Sequence, residues 1–95
     1  MEYKDLDAHL LTPKRFVTLA HLSQVEQADY PALEEVTGMA TPDLSKIIRD
    51  LERRGLVNVN KLRKNRYSYT LVELSPNGRR QFLHLLKVLD HAAGR

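Results

Sequence analysis

The sequence predicts a mainly α fold with one small β-hairpin: three helices, the hairpin, then a long last helix. Three observations predict it. Hydroxyl–proline pairs at Thr12-Pro13, Thr41-Pro42 and Ser75-Pro76 mark helix starts. There the hydroxyl can cap free amides, and proline at the first helical position gives up no hydrogen bond. After each pair, apolar residues recur at helical spacing. Between Gly55 and Ser75 the period changes to alternation, with β-branched and aromatic enrichment.

The elements follow in order. Tyr3, Leu6 and Leu10 recur at helical spacing, so residues 1–11 form a short helix or an arm that orders against a partner. The first full helix starts at Thr12-Pro13 and buries Phe16, Val17, Leu19, Ala20 and Leu22. "SQVEQADY" is a connection with room for one extended pairing. "PALEEVTG" is a short helix with Leu33, Val36 and Thr37 inward and Gly38 as left-handed terminator. Only "MA" separates it from the Thr41-Pro42 start, a gap that suits a helix-turn-helix.

After Gly55, Leu56, Val57 and Val59 open the first strand, and "RKNR" is a polar four-residue turn. Tyr67, Tyr69, Leu71 and Glu73 share one side of the second strand. Ser75-Pro76 then starts a helix that runs to about residue 93. Gly78 falls in its first turn, where the helical penalty of glycine matters least.

A chain of 95 residues is the size of one domain, 1–95. It has no cysteine, hence no disulfide framework and no thiolate metal site. It has no apolar run of about 20 residues, and its first residues lack a signal-peptide core. A soluble, cytoplasmic protein is expected. Charge is sorted along the chain. Residues 1–40 carry three basic against seven acidic side chains, a balance of −4. Residues 41–95 carry twelve against five, a balance of +7. A basic half suits a polyanionic partner, although a solvated basic surface would look the same.

The helix after Thr41 focuses that charge. On a helical projection Leu44, Ile47, Ile48 and Leu51 fall within an arc of about 100°, the width of a core-facing stripe. Opposite lie Pro42, Lys46, Arg49 and Arg53, with Ser45 beside them; Asp43, Asp50 and Arg54 lie toward the other flank. A helix fits the major groove, where its amino-terminal residues reach base edges and its neighbours hold phosphates. The competing reading is a solvated face on which Asp50 and Glu52 pair with Arg53, Arg54 or Lys46. The hairpin favours the first reading: Arg63, Lys64 and Arg66 crowd its turn, and Lys61 stands nearby.

Three segments carry a family resemblance. "LSKIIRDLERRGLV" resembles the recognition helix, "VNVNKLRKNRYSYTL" the strand–wing–strand, and "ELSPNGRRQF" the start of the last helix in compact winged helix-turn-helix transcriptional regulators of the MarR/ArsR/PadR type. The resemblance spans residues 13–93. It implies a three-helical core plus wing, sequence-specific binding of double-stranded DNA as a homodimer on a pseudo-palindromic operator, and no catalysis. It assigns base reading to Thr41, Pro42, Ser45, Lys46 and Arg49, and phosphate contact to Arg53, Arg54, Arg63, Lys64 and Arg66. Asp43 could accept from a cytosine amine but is read first as supporting the helix start, Arg79 as structural and Arg80 as solvated. The chain departs from the family in a short wing and in little room for an effector pocket, so no small-molecule effector is indicated.

In the last helix Phe82, Leu83, Leu85, Leu86, Val88, Leu89, Ala92 and Ala93 cover an arc of roughly 220°, wider than one core contact needs. A two-fold dimer is expected, with Tyr3, Leu6, Leu10, Phe82, Leu85, Leu86, Leu89 and Ala93 at its interface. The alternative is that the amino-terminal segment covers the excess within one chain. Two other functions compete: a winged-helix module that binds an acidic protein rather than DNA, and a metal-responsive regulator. The metal candidates are His84, Asp90 and His91, with His9 and His21 elsewhere. His84 and His91 are about 10.5 Å apart along a helix, too far to share one ion within a chain. No metal or cofactor is expected. No nucleophile–base set, glycine-rich phosphate loop or paired carboxylates point to an enzyme.

Overall fold

The computed structural model describes residues 2–94. After a single 3-10 turn at Tyr3–Asp5 come α1 (Pro13–Leu22), β1 (Ala28–Asp29), α2 (Tyr30–Thr37), α3 (Thr41–Arg53), β2 (Val57–Lys64), β3 (Tyr67–Leu74) and α4 (Pro76–Ala92). The three strands form one antiparallel sheet in the order β1-β3-β2. The extended pairing expected after α1 is β1, which sets Ala28 opposite Val72 and Asp29 opposite Leu71. Leu19, Leu22, Leu33, Leu44, Ile48, Leu51, Leu56, Val72 and Phe82 fill one core between the helices and the base of the hairpin.

Of the three expected hydroxyl caps, only Ser75 is one. Its Oγ accepts from the Gly78 amide at 2.9 Å. Thr12 occupies the N-cap position of α1, but its hydroxyl donates to the His9 carbonyl at 3.1 Å and accepts from Arg15 at 3.0 Å. Thr41 is already inside α3, whose N-cap is Ala40, and its hydroxyl donates to the Glu34 carboxylate at 2.6 Å. At Thr12 the guanidinium of Arg15 takes the hydroxyl's acceptor side, and at Thr41 the helix begins one residue too early for the hydroxyl to cap it. Asp29 does cap: its carboxylate accepts from the Ala32 amide at 2.9 Å, so α2 starts at Tyr30. Gly38 ends α2 with φ +72°, as its position suggested.

Two expected core positions face solvent, Val17 and Val36, the latter 52% exposed. Thr18 takes the buried place on α1 and satisfies its hydroxyl on the Lys14 carbonyl at 2.7 Å. The core is thus narrower on these helices than apolar content alone implied.

The wing is neither short nor capped by a four-residue turn. Its strands pair along eight residues each, from Val57 opposite Leu74 to Lys64 opposite Tyr67. Arg63 and Lys64 belong to β2, and the turn is Asn65-Arg66 alone, with Asn65 at φ +59°. Asparagine tolerates this left-handed conformation better than most residues. Tyr67, Tyr69, Leu71 and Glu73 do share one side, but it is the outer one; Tyr67 is 77% exposed. The inner side is Val57, Val59, Val72 and Leu74, which seal the core.

The amino-terminal segment is an arm with one 3-10 turn, not a helix. Tyr3 is exposed and Leu6 half-buried, whereas Leu10 is in the core. Phe82 and Leu85 are also core residues; Phe82 meets Phe16 with ring centroids 5.5 Å apart. Leu10, Phe82 and Leu85 are therefore spent within the chain and are not free for a dimer interface. Part of the wide apolar arc of α4 closes on its own protomer.

The start of α4 presses directly on the start of the wing. A methyl group at Gly78 would lie 1.9 Å from the Leu56 carbonyl oxygen. Beside it the Ser75 amide donates to that carbonyl at 3.0 Å, and the Ser75 hydroxyl donates to the Gly55 carbonyl at 2.6 Å. Gly78 is thus required by contact rather than tolerated by position. Gly78→Ala should lower unfolding free energy by about 3 kcal/mol, the upper range of overpacking costs, measured by urea denaturation. A loss under about 0.5 kcal/mol, the size of an ordinary surface change, would show that the two backbones separate freely.

Candidate nucleic-acid interface

Helix α3 buries Leu44, Ile48 and Leu51 completely, with Ile47 half-buried beside them. Anchoring that stripe turns Thr41, Pro42, Lys46, Arg49 and Arg53 outward; all five are exposed. Ser45 is half-buried on the side facing the wing. Among the described residues, Lys46 and Arg49 have no carboxylate within ion-pair distance. The same holds for Lys61, Arg63, Lys64 and Arg66 on the wing.

Two of the three acids of α3, Asp43 and Asp50, are engaged elsewhere. Asp43 in the first turn meets Lys14 at 3.4 Å, where a carboxylate also favours the helix start. Asp50 gathers four groups: His9 at 3.0 Å, Arg15 at 3.1 Å, Arg54 at 3.5 Å and Arg53 at 3.7 Å. Burial works against the Asp50 charge, but the Arg15 hydrogen bond and the charges of His9, Arg15 and Arg54 outweigh it, holding its pKa below the ordinary 3.8. His9 is pushed below its ordinary 6.5, first by burial and then by Arg15 and Arg54, despite Asp50 and Asp7. The His9 Nε2 is close to Asp50 yet lacks hydrogen-bond geometry, so the contact is electrostatic. Arg53 and Arg54 remain largely exposed while leaning on Asp50, so their guanidinium groups are part-neutralised.

Strand alternation divides the wing cations. Lys61 and Arg63 continue the inner side of β2 beyond Val57 and Val59, with Ser68 and Thr70 opposite them on β3. Lys64 points to the outer side with Leu62, Tyr67 and Tyr69. Arg66 is in the turn. Between α3 and the inner side of the wing lies a notch of about 290 Å³ lined by Tyr30, Ser45, Arg49, Glu52, Lys61 and Thr70, over a floor of Ile48 and Val59. Sequence reasoning noted Lys61 only as a nearby charge and passed over Tyr30 and Thr70. The inner-side alternation of Val57, Val59, Lys61 could have found Lys61; no local signal marks Tyr30.

Arg79 reaches back to the Ser23 carbonyl at 3.3 Å and ties α4 to the end of α1. Arg80 is exposed beside Asp5 and Asp7 of the arm. His84 and His91 line a shallow groove with Asp5 and Lys87. Among the described residues no three metal-ligating side chains converge. Among them, too, no helix is long and apolar enough to cross a membrane.

A helix-turn-helix whose second helix stands beside a cationic hairpin defines a winged helix domain. The family model for the winged helix DNA-binding domain matches residues 14–92. The chain belongs to that family, and its architecture is that of the MarR-type regulators its sequence resembles. It is similar to a transcriptional regulator homologue from Pyrococcus horikoshii OT3, with 26% identity, TM-score 0.88, and 96% of this chain and 91% of that one covered. It has the fold of PcaV from Streptomyces coelicolor, a transcriptional regulator solved with its natural ligand (20% identity, TM-score 0.74, 93% and 61% covered). It also has the fold of overoxidised AbfR bound to DNA (16% identity, TM-score 0.79, 94% and 64% covered). The chain thus spans under two thirds of the PcaV and AbfR chains. No curated protein matches it by sequence.

The Asp50 cluster sets a pH dependence. Both lowered pKa values mean that the unfolded chain binds more protons, so stability rises with pH. For His9 the stability is present above 6.5 and lost as pH falls through its lowered folded value. For Asp50 it is present above 3.8 and lost as pH falls through its own lowered value. His9→Gln should flatten the first of these declines and leave the second, read from urea midpoints across pH. An unchanged slope below pH 6.5 would remove His9 from this account.

Proposed function

We propose that this chain is a sequence-specific double-stranded DNA-binding transcriptional regulator acting as a homodimer. Residues 42–54 of α3 enter the major groove, and residues 61–66 of the wing meet the backbone or the adjacent minor groove. The observation that carries the reading is the pair Lys46 and Arg49: exposed, without an ion pair among the described residues, and held outward by a buried stripe directly behind them. An interior-facing or acid-paired edge could not read a duplex. In this reading Thr41, Pro42, Ser45, Lys46 and Arg49 meet base edges. Arg53, Arg54, Arg63, Lys64 and Arg66 supply phosphate contacts, with Arg53 and Arg54 weakened by Asp50.

The dimer follows from what α4 leaves uncovered. Leu83 is 46% exposed, Leu86, Val88 and Leu89 are half-buried, and Ala92 and Ala93 are exposed. Together with Tyr3 and Leu6 of the arm they make the surface for a second copy. Two equivalent α3 helices would then meet half-sites about 34 Å apart on a pseudo-palindrome. The cytoplasm, where such operators are reached, is the compartment this role requires.

Sites selected from random duplexes by the purified chain should share a pseudo-palindrome. Arg49→Ala should relax preference at one position per half-site by about 1–3 kcal/mol. Arg66→Ala should weaken all duplexes alike and reduce the salt slope by about 0.9 per phosphate lost. Wild-type affinity and ranking in both variants would refute the DNA reading. Light scattering at micromolar concentration should give twice the 11.0 kDa chain mass, and Leu83→Glu should return it to a single chain. A wild-type species at 11.0 kDa would end the dimer.

A further inference from the structure

The notch between α3 and the wing has a composition unlike either of its walls. Lys61 and Arg49 bring two cations, and Tyr30, Ser45 and Thr70 bring three hydroxyls, against one carboxylate, Glu52. The Tyr30 phenol faces Ser45 and, like any tyrosine at neutral pH, keeps its proton and can donate. The space of about 290 Å³ would hold on the order of ten waters, ample for a tetrahedral oxyanion. The groove geometry of a duplex says what passes there. If a helix lies in the major groove and the adjoining hairpin meets the next minor groove, one sugar–phosphate strand must run between them.

We propose that this notch seats one backbone phosphodiester per half-site, with Lys61, Tyr30 and Thr70 as its donors. The seat rests on the duplex-binding reading and deepens it. It fixes the depth and angle at which α3 enters the groove, a positioning role that carries no base identity. Lys61 thereby gains a defined place in the interface, and Tyr30 links α2 to it. Glu52 opposes the seat electrostatically and keeps its occupancy dependent on the rest of the duplex contact.

The test uses the full chain and two duplexes, a selected operator and a shuffled sequence of the same length, with affinity read by fluorescence anisotropy across a salt series. Lys61 is exposed on the wing, so Lys61→Gln leaves the core intact; thermal unfolding checks this. It should weaken both duplexes about three- to tenfold and lower the salt slope by about 0.9. Tyr30→Phe should weaken both about threefold without changing the slope. Glu52→Gln should tighten both. Replacing one phosphate per half-site by methylphosphonate should weaken the wild type and have no further effect on Lys61→Gln. Wild-type affinity and slope in Lys61→Gln, or methylphosphonate losses that add fully to it, overturn the seat while leaving duplex binding standing. Absence of any duplex binding by the wild type overturns both.

Discussion

The structure depends on one close approach of backbone to backbone, Gly78 against the Leu56 carbonyl. Four element ends meet there: the exit of α3, the start of β2, the end of β3 and the start of α4. Side chains can repack to absorb small errors, but a carbonyl held by the Ser75 amide cannot step aside cheaply. The Ser75 hydroxyl adds a second tie by donating to the Gly55 carbonyl while accepting from the Gly78 amide. The angle between α3 and the wing is therefore set by main-chain contacts, upstream of any surface residue. The cations of the two elements are presented as one rigid surface because their supports share this joint.

Asp50 solves a different problem. A helix with many cations repels itself, and its carboxylates could quench the very line that faces outward. Here Asp50 turns to the flank, where Arg15 and His9 from outside the helix join Arg53 and Arg54 around it. The Coulomb gain offsets the burial of its charge, and the lowered pKa records the balance. The same arrangement ties α1 and the arm to the back of α3. Asp43 and Asp50 are thereby kept from Lys46 and Arg49.

Much of this was legible in the sequence. The 100° projection of Thr41–Arg53 sorted buried Leu44, Ile48 and Leu51 from exposed Lys46 and Arg49, since the helix has a long apolar stripe and a strong period. Ser75-Pro76 and Gly38 worked because their chemistry is local. Thr12 and Thr41 misled because Arg15 donates to the first hydroxyl in place of a helix amide, and α3 takes Ala40 rather than Thr41 as its N-cap. Leu10, Phe82 and Leu85 misled because an apolar arc says how much surface needs cover, not which partner covers it. Gly78 and Tyr30 act on residues distant in sequence, which no window reveals.

The two-residue turn at Asn65-Arg66 leaves the wing with a rule of parity. Pairing is unbroken from the tip to Val57 opposite Leu74, so inserting or deleting one residue in either strand would turn every side chain beyond it to the opposite face. Lys61 would then leave the helix side and Leu62 would take its place. Point substitutions along the hairpin are cheap by comparison. Natural diversification of this element should therefore run through side-chain identity and through paired gains or losses of two residues, with odd-numbered length changes purged.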